Sequence, residues 1–156
     1  MGTARAAEAG EVVAGVLRAI AAAADVGCEV RVDAREDAIH AEYVGGEAAA
    51  LIGHHGQTLD AIQHLAQRVA FRGVSVSVEV VVDAAGYRER RATALRAMAD
   101  EAAEAAVREG RPVALEAMGA QERKVVHLHL RERLDVATHS EGEEPSRRLV
   151  VSPVGR

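Results

Sequence analysis

Two short stretches of this chain carry residues whose types and spacing suit recognition of an anionic polymer. The first is Ile52-Gly53-His54-His55-Gly56-Gln57-Thr58-Leu59, where two glycines bracket two histidines directly ahead of a helical pattern. A helix start leaves backbone N–H groups without intrahelical partners, and those donors together with the helix dipole favour anions. Glycine has no Cβ, so a sugar-phosphate chain can approach the backbone closely there. The central pair points outward and can reach phosphates. The same string is also compatible with a plain tight turn between helices, and the histidines with solvated loop residues. A free imidazole, with its ordinary midpoint near ~6.5, is mostly uncharged at neutrality, so phosphate affinity of this pair should be weak or rise as pH falls.

The second stretch is Glu122-Arg123-Lys124-Val125-Val126-His127. Arg123 and His127 are four apart and share one face of a helix. A guanidinium fork beside an imidazole N–H can grip one set of phosphate oxygens, although this pair on an exposed helix is often only solvated. His127 and His129 are two apart and diverge, which argues against a helical bis-histidine metal site. Cys28 is the only cysteine, so neither an internal disulfide nor a cysteine-based zinc cluster can be assembled. No nucleophile elbow, phosphate-loop lysine motif or metal spacing is present, so the sequence predicts binding without catalysis, cofactor or metal.

The elements that must hold these stretches follow from periodicity. Val12, Val13, Val16, Leu17 and Ile20 form a helical stripe over roughly residues 5–24. Cys28, Val30 and Val32 alternate with polar residues, as do Ile39, Ala41 and Tyr43, which predicts a hairpin turning at Ala34–Asp37. A short helix over 47–52 leads to the glycine string. Leu59, Ile62, Leu65, Ala66 and Val69 then mark a helix, and Val74 to Val82 alternate as a third strand. Residues 84–109, rich in alanine, arginine and glutamate, read as a long helix capped by Asp83 and stopped by Gly110 and Pro112. Beyond it, Val125, Val126, Leu130 and Leu134 mark a further helix, and Val136–Ser140 and Arg147–Ser152 a closing hairpin.

Composition bounds the partners. The 156 residues suffice for one ordinary domain or two very small ones, and hydrophobic content of 49% with 28% charged residues is globular. No apolar run approaches the ~20 residues of a membrane helix, and no leader pattern opens the chain, so a cytoplasmic protein without stable membrane insertion is expected. Net charge is −5, against indiscriminate nucleic-acid binding. Residues 1–109 hold 11 basic and 17 acidic side chains, whereas residues 110–156 hold 8 and 7. Lys124 is the only lysine among 19 basic residues; arginine forks suit phosphate, but 33 alanines also point to a genome-wide bias. Aromatics are only Tyr43, Phe71 and Tyr87, too few for an aromatic base-stacking platform.

In that order of elements, residues 5–83 resemble a type II KH domain, whose loop clamps about four nucleotides of a single strand. The string Ile52–Leu59 is similar to the KH segment of the KhpB family, also called Jag or SpoIIIJ-associated proteins. KH loops generally place a lysine or arginine centrally, where this chain has His54 and His55. Residues 122–127, followed by Thr138-His139-Ser140-Glu141-Gly142-Glu143-Glu144-Pro145-Ser146-Arg147-Arg148-Leu149-Val150-Val151, resemble the single-stranded nucleic-acid domain named for its Arg-x-x-x-His pair, as found in KhpB proteins.

The resemblance implies an α+β protein: a type II KH domain (5–83), an alanine-rich connecting helix (84–109) and a small α/β Arg-x-x-x-His domain (110–156). It implies RNA contacts from Gly53, His54, His55, Gly56 and Gln57, and from Arg123 and His127 supported by Lys124, Arg147 and Arg148. The acidic turn Glu141, Glu143, Glu144 would orient the arginines or keep the tip solvated. It further implies a bacterial RNA chaperone or post-transcriptional regulator that pairs with the small KH protein KhpA and influences cell division, elongation or wall synthesis. Many family members begin with an additional N-terminal domain, whose properties are not expected of this chain. The competing expectation is a protein-interaction adaptor, associated with a membrane insertase or the ribosome and with little RNA affinity. A salt titration separates the two, because phosphate contacts lose affinity steeply as salt rises.

Overall fold

The computed structural model describes residues 3–74 and 78–155, and the chain divides into two units between Arg88 and Glu89. Helix α1 (Thr3–Ala23) buries Val13, Leu17 and Ala21 on one face. Strands β1 (Glu29–Ala34) and β2 (Ala38–Val44) pair antiparallel, as their alternation predicts. Two 3-10 turns, Ala48–Leu51 and His54–Gly56, lead into α2 (Gln57–Val74), and β3 (Glu79–Ala84) returns parallel to β2. The sheet order is β1-β2-β3. Its inner face meets α1 and α2 in a core of Leu17, Ile39, Tyr43, Leu59, Val80 and Val82. Within that core Tyr43 Oη donates to Leu17 O at 2.9 Å, and burial pushes its phenol far above the ordinary tyrosine value.

Two sequence expectations change in α2 and β3. The strand does not begin at Val74, which is the last residue of α2; it begins at Glu79, and Ser75, Val76 and Ser77 lie outside the described residues. Ala66 and Ala70 extend the buried row of Leu59 and Ile62, so the helix continues to where the alternating valines begin. Leu65, placed on the apolar stripe by spacing, sits on its flank and is 48% exposed. Strand β3 lies at the end of the sheet, and glutamines of α2 cover its backbone. Gln67 Nε2 donates to Val78 O at 2.6 Å, while the N–H groups of Val80 and Val82 donate to Gln67 Oε1 and Gln63 Oε1 at 2.7 and 2.9 Å. Edge donors are thereby paired without another strand.

Asp83 does cap the next helix: its Oδ1 accepts from the N–H groups of Ala84 and Arg88, at 2.8 and 3.2 Å. That helix, α3 (Tyr87–Glu109), ends as expected at Gly110, whose φ of +65° lets its N–H donate to Ala106 O at 2.9 Å. It is more than the connector the sequence suggests. Leu95, Ala99, Ala102, Ala103 and Ala106 form a buried face in the core of the second unit. Alanine spaced three and four apart is an apolar face of low contrast, easily mistaken for a solvated rod.

In the second unit β4 (Val113–Ala117), α4 (Ala120–Leu130), β5 (Val136–Glu141) and β6 (Arg148–Pro153) follow α3. The three strands form an antiparallel sheet in the order β4-β6-β5. The β5–β6 hairpin is the one expected. Strand β4 is not anticipated by the sequence, since Val113 and Leu115 give only two alternations and the pairing with β6 slips between Ala114 and Ala117. Leu134, expected on the helix, lies beyond its end and is 92% exposed. The core joins the α3 alanines to Leu115, Met118, Val126, Leu130, Val136, Leu149 and Val151.

Candidate nucleic-acid interface

The glycine string is a backbone device. Gly53 sits at φ +71°, ψ −174°, a conformation open essentially to glycine alone. His55 is left-handed at φ +51°, ψ +31°, and Gly56 follows at φ +79°. A Cβ on Gly53 would collide with the Thr58 side chain, and one on Gly56 would stand 2.7 Å from Tyr87 Cε1. The room made by the glycines is therefore filled by Thr58 and Tyr87 rather than kept open for a ligand. The expected pool of unpaired amides is also smaller than a bare helix start provides. Gly56 N–H donates to Gly53 O at 3.5 Å, Gln57 N–H to His54 O, and Leu59 N–H to Ile52 O at 3.2 Å. On the solvent side the loop presents side chains. His54 and His55 stack with ring centroids 3.9 Å apart, and Gln57 is exposed beside them.

The second motif is built the other way round. Helix α4 starts at Gly119 without a side-chain cap, and its first turn is tied to α3 by Arg91 Nε, which donates to Glu122 Oε1 at 2.6 Å. Beside it in that turn, Arg123 points inward and its side chain is 9% exposed. Its Nη1 donates to Met118 O at 2.6 Å and its Nη2 to Glu144 Oε1 at 2.7 Å. Its Nε is buried without a partner among the described residues. Glu144 thus orients an arginine, one of the two roles open to the acidic turn.

His127 lies one turn further, exposed, with Nδ1 2.6 Å from Thr138 Oγ1 on β5. His129 faces Asp100 on α3 instead, at 2.9 Å, so the two histidines do diverge. Arg123, Lys124 and His127 of α4 line an open groove of about 370 Å³ with Thr138, His139 and Ser140 of β5. Sequence reasoning did not single out these three β5 residues, because only the packing of β5 against α4 brings them to the motif. Arg147 and Arg148 do not line the groove. Arg147 is half-buried, its carbonyl accepts Met118 N–H at 3.1 Å, and its Nε is buried and unpartnered among the described residues. Arg148 is exposed and its Nη2 donates to Glu141 Oε1 at 3.3 Å.

Among the described residues no group of three or more His, Cys, Asp or Glu side chains is placed to hold a metal ion. No described helix is long and apolar enough to cross a membrane.

Both motifs fall within known families. Residues 10–82 match the KhpA/KhpB KH domain. Residues 93–153 match the domain named for its Arg-x-x-x-His pair, a match that takes in most of α3. These are binding rather than catalytic families. The chain is similar to RNA-binding protein KhpB of Clostridium symbiosum, 35% identical over 127 residues that cover 81% of this chain and 57% of that protein. KhpB of Lactiplantibacillus plantarum is 41% identical over 102 residues, 65% of this chain and 32% of that one. KhpB of Bacillus subtilis is 33% identical over 138 residues, 87% and 66%. The matched stretches thus span from a third to two thirds of the length of these relatives.

Proposed function

Because the chain belongs to the KhpB family, we propose that it is a bacterial, cytoplasmic RNA-binding protein that holds unpaired RNA at two places. In the first unit the strand lies against the His54–His55 stack and Gln57, at the start of α2. In the second it lies in the groove where Lys124, His127, Thr138, His139 and Ser140 offer donors to phosphate and ribose. Arg123 supports that groove from below and Arg147 and Arg148 flank it. Two weak sites on one chain raise each other's effective concentration for a strand that reaches both. In the cell this activity serves transcript handling, as a chaperone or post-transcriptional regulator, with the small KH protein KhpA as partner and cell division, elongation or wall synthesis as the outcome.

One observation carries the reading: Lys124, the only lysine of the chain, is exposed on the rim of the groove, one turn from an exposed His127. Fluorescence anisotropy with a labelled oligouridylate at low ionic strength tests it. Binding that weakens steeply with salt, and weakens further with Lys124→Gln, supports the proposal. No measurable binding, alone or with KhpA added, overturns it and favours the adaptor.

A further inference from the structure

The helix that follows the glycine loop has an outer face that the fold does not use. Gln57, Ala61, His64, Arg68 and Arg72 run up this face, flanked by Leu65 at 48% and Phe71 at 42% exposure. Arg68 and Arg72 are four apart, so they stand one above the other. Neither has an ion pair or hydrogen bond among the described residues; Arg5, Arg18 and Arg31 are unpaired as well, but Arg5 and Arg18 share α1 with Glu8 and Glu11, and Arg31 lies between Glu29 and Asp33. The acid nearest to this face along the helix, Asp60, is already held by Arg88 Nη1 at 2.9 Å. What sets this face apart is that α2 carries no acid but Asp60, so its two stacked arginines stand without a carboxylate on their own helix face, in a chain of 24 acidic and 19 basic residues.

The rest of the first unit sharpens the contrast. The outward face of its sheet carries Glu29, Asp33, Glu42, Glu79 and Asp83 against Arg31 and His40. A polyanion is repelled there and attracted to the helix. The strip begins at Gln57, the residue directly after the loop, and reaches Phe71 about 21 Å further on at ~1.5 Å per residue. It combines cations at helical spacing with the only phenylalanine of the chain, at its far end. Unpaired nucleotides are recognised by that mixture, since phosphates seek guanidinium groups and bases stack on an aromatic ring.

We propose that the outer face of α2 extends the strand track beyond the glycine loop, with Arg68 and Arg72 taking phosphates and Phe71 stacking on a base. This rests on the loop itself being an RNA site. The test compares labelled oligouridylates of four and ten nucleotides on the full chain, for the parent, Arg68→Gln/Arg72→Gln and Phe71→Leu. The substitutions are at exposed positions, and unchanged thermal unfolding checks that the fold is kept.

The arginine variant should leave the 4-mer bound as in the parent, and should reduce the log–log salt slope of the 10-mer by about 1.4, two phosphates at ~0.7 each for a single strand. Phe71→Leu should weaken the 10-mer at least about fivefold and leave the salt slope alone. Parent-like 10-mer binding in both variants overturns the inference while the proposed function stands, as does an equal loss for both lengths. Failure of the parent to bind either length, alone or with KhpA added, removes the proposed function itself. Flotation with phosphatidylglycerol vesicles that Arg68→Gln/Arg72→Gln abolishes, with RNA affinity intact, would overturn the inference by giving the face to a membrane surface.

Discussion

The glycine loop and the Arg-x-x-x-His helix are opposite constructions. In the loop the backbone is unusual, with Gly53, His55 and Gly56 all at positive φ, and of the imidazoles at its tip His54 is exposed and His55 half-buried. In α4 the backbone is ordinary helix, and the guanidinium that names the motif is enclosed by Met118 O and Glu144. A motif letter therefore reports a requirement without reporting its kind. Gly53 and Gly56 are required by Thr58 and Tyr87, and Arg123 by the turn it holds. The side chains left at the surface belong to their neighbours, His54, Lys124 and His127 exposed and His55 half-buried.

The strongest challenge to this contrast is Arg123→Ala. It leaves Met118 O without its donor, opens space beneath α4 and releases Glu144, so the second unit should lose about 3 kcal/mol of stability. Hydrogen exchange in α4 and β4–β6 would report the loss. Glu144→Ala should cost roughly 1 kcal/mol, because Glu144 is 57% exposed and water can replace it. If Arg123→Ala abolished RNA binding with exchange unchanged, Arg123 would be a contact residue and the two sites would share one construction.

Next in size is Gly53→Ala. The added Cβ meets Thr58 and the backbone leaves the glycine-only region, which together should cost about 2 kcal/mol in the first unit. Gly53→Ala/Thr58→Ala should recover only part of this, since it removes the clash with Thr58 Oγ1 but keeps the close approach to the Cβ and backbone N of residue 58 and the dihedral penalty. Full recovery would show that the Thr58 hydroxyl alone demands the glycine, and that the backbone of the loop is not special.

How much of this was legible beforehand follows from contrast. Strands β1 and β2 alternate apolar with polar residues, β5 and β6 flank the turn-forming string Glu141–Pro145, and α1 repeats valines and leucines at helical spacing, so these elements stand out. Strand β4 offers only Val113 and Leu115 between Pro112 and Gly119. The buried face of α3 is written almost wholly in alanine, so neither announced its place in the second core. Gln63 and Gln67 look like solvated helix residues and in fact cap the backbone of β3, a role set by tertiary placement alone. At the sites, the positions of His54, His55, Lys124 and His127 were readable from spacing. The burial of Arg123 was not: i, i+4 spacing says that two residues share a face and is silent on whether that face looks out.

A smaller effect separates contact from support. Lys124→Gln lies on the groove rim and makes no ion pair among the described residues, so stability should stay within about 0.5 kcal/mol. RNA affinity should fall several-fold, and the log–log salt slope should drop by about 0.7, one phosphate on a single strand. Arg123→Ala predicts the reverse ranking, with the larger stability loss. A Lys124→Gln variant that bound RNA like the parent at every salt concentration would leave the groove without an electrostatic role.

The smallest effect concerns the stacked imidazoles. Their rings lie 3.9 Å apart at the tip of the loop, His54 exposed and His55 half-buried. A ring N–H can donate to a phosphate oxygen, so His54→Ala/His55→Ala should weaken binding of a four-nucleotide strand by about threefold, the worth of one modest hydrogen bond. Anisotropy with the short oligouridylate reads the loss, and thermal unfolding checks that the first unit is intact. Parent-like affinity in the double variant would mean that the loop binds through its backbone after all, and the contrast drawn between the two sites would close from the other side.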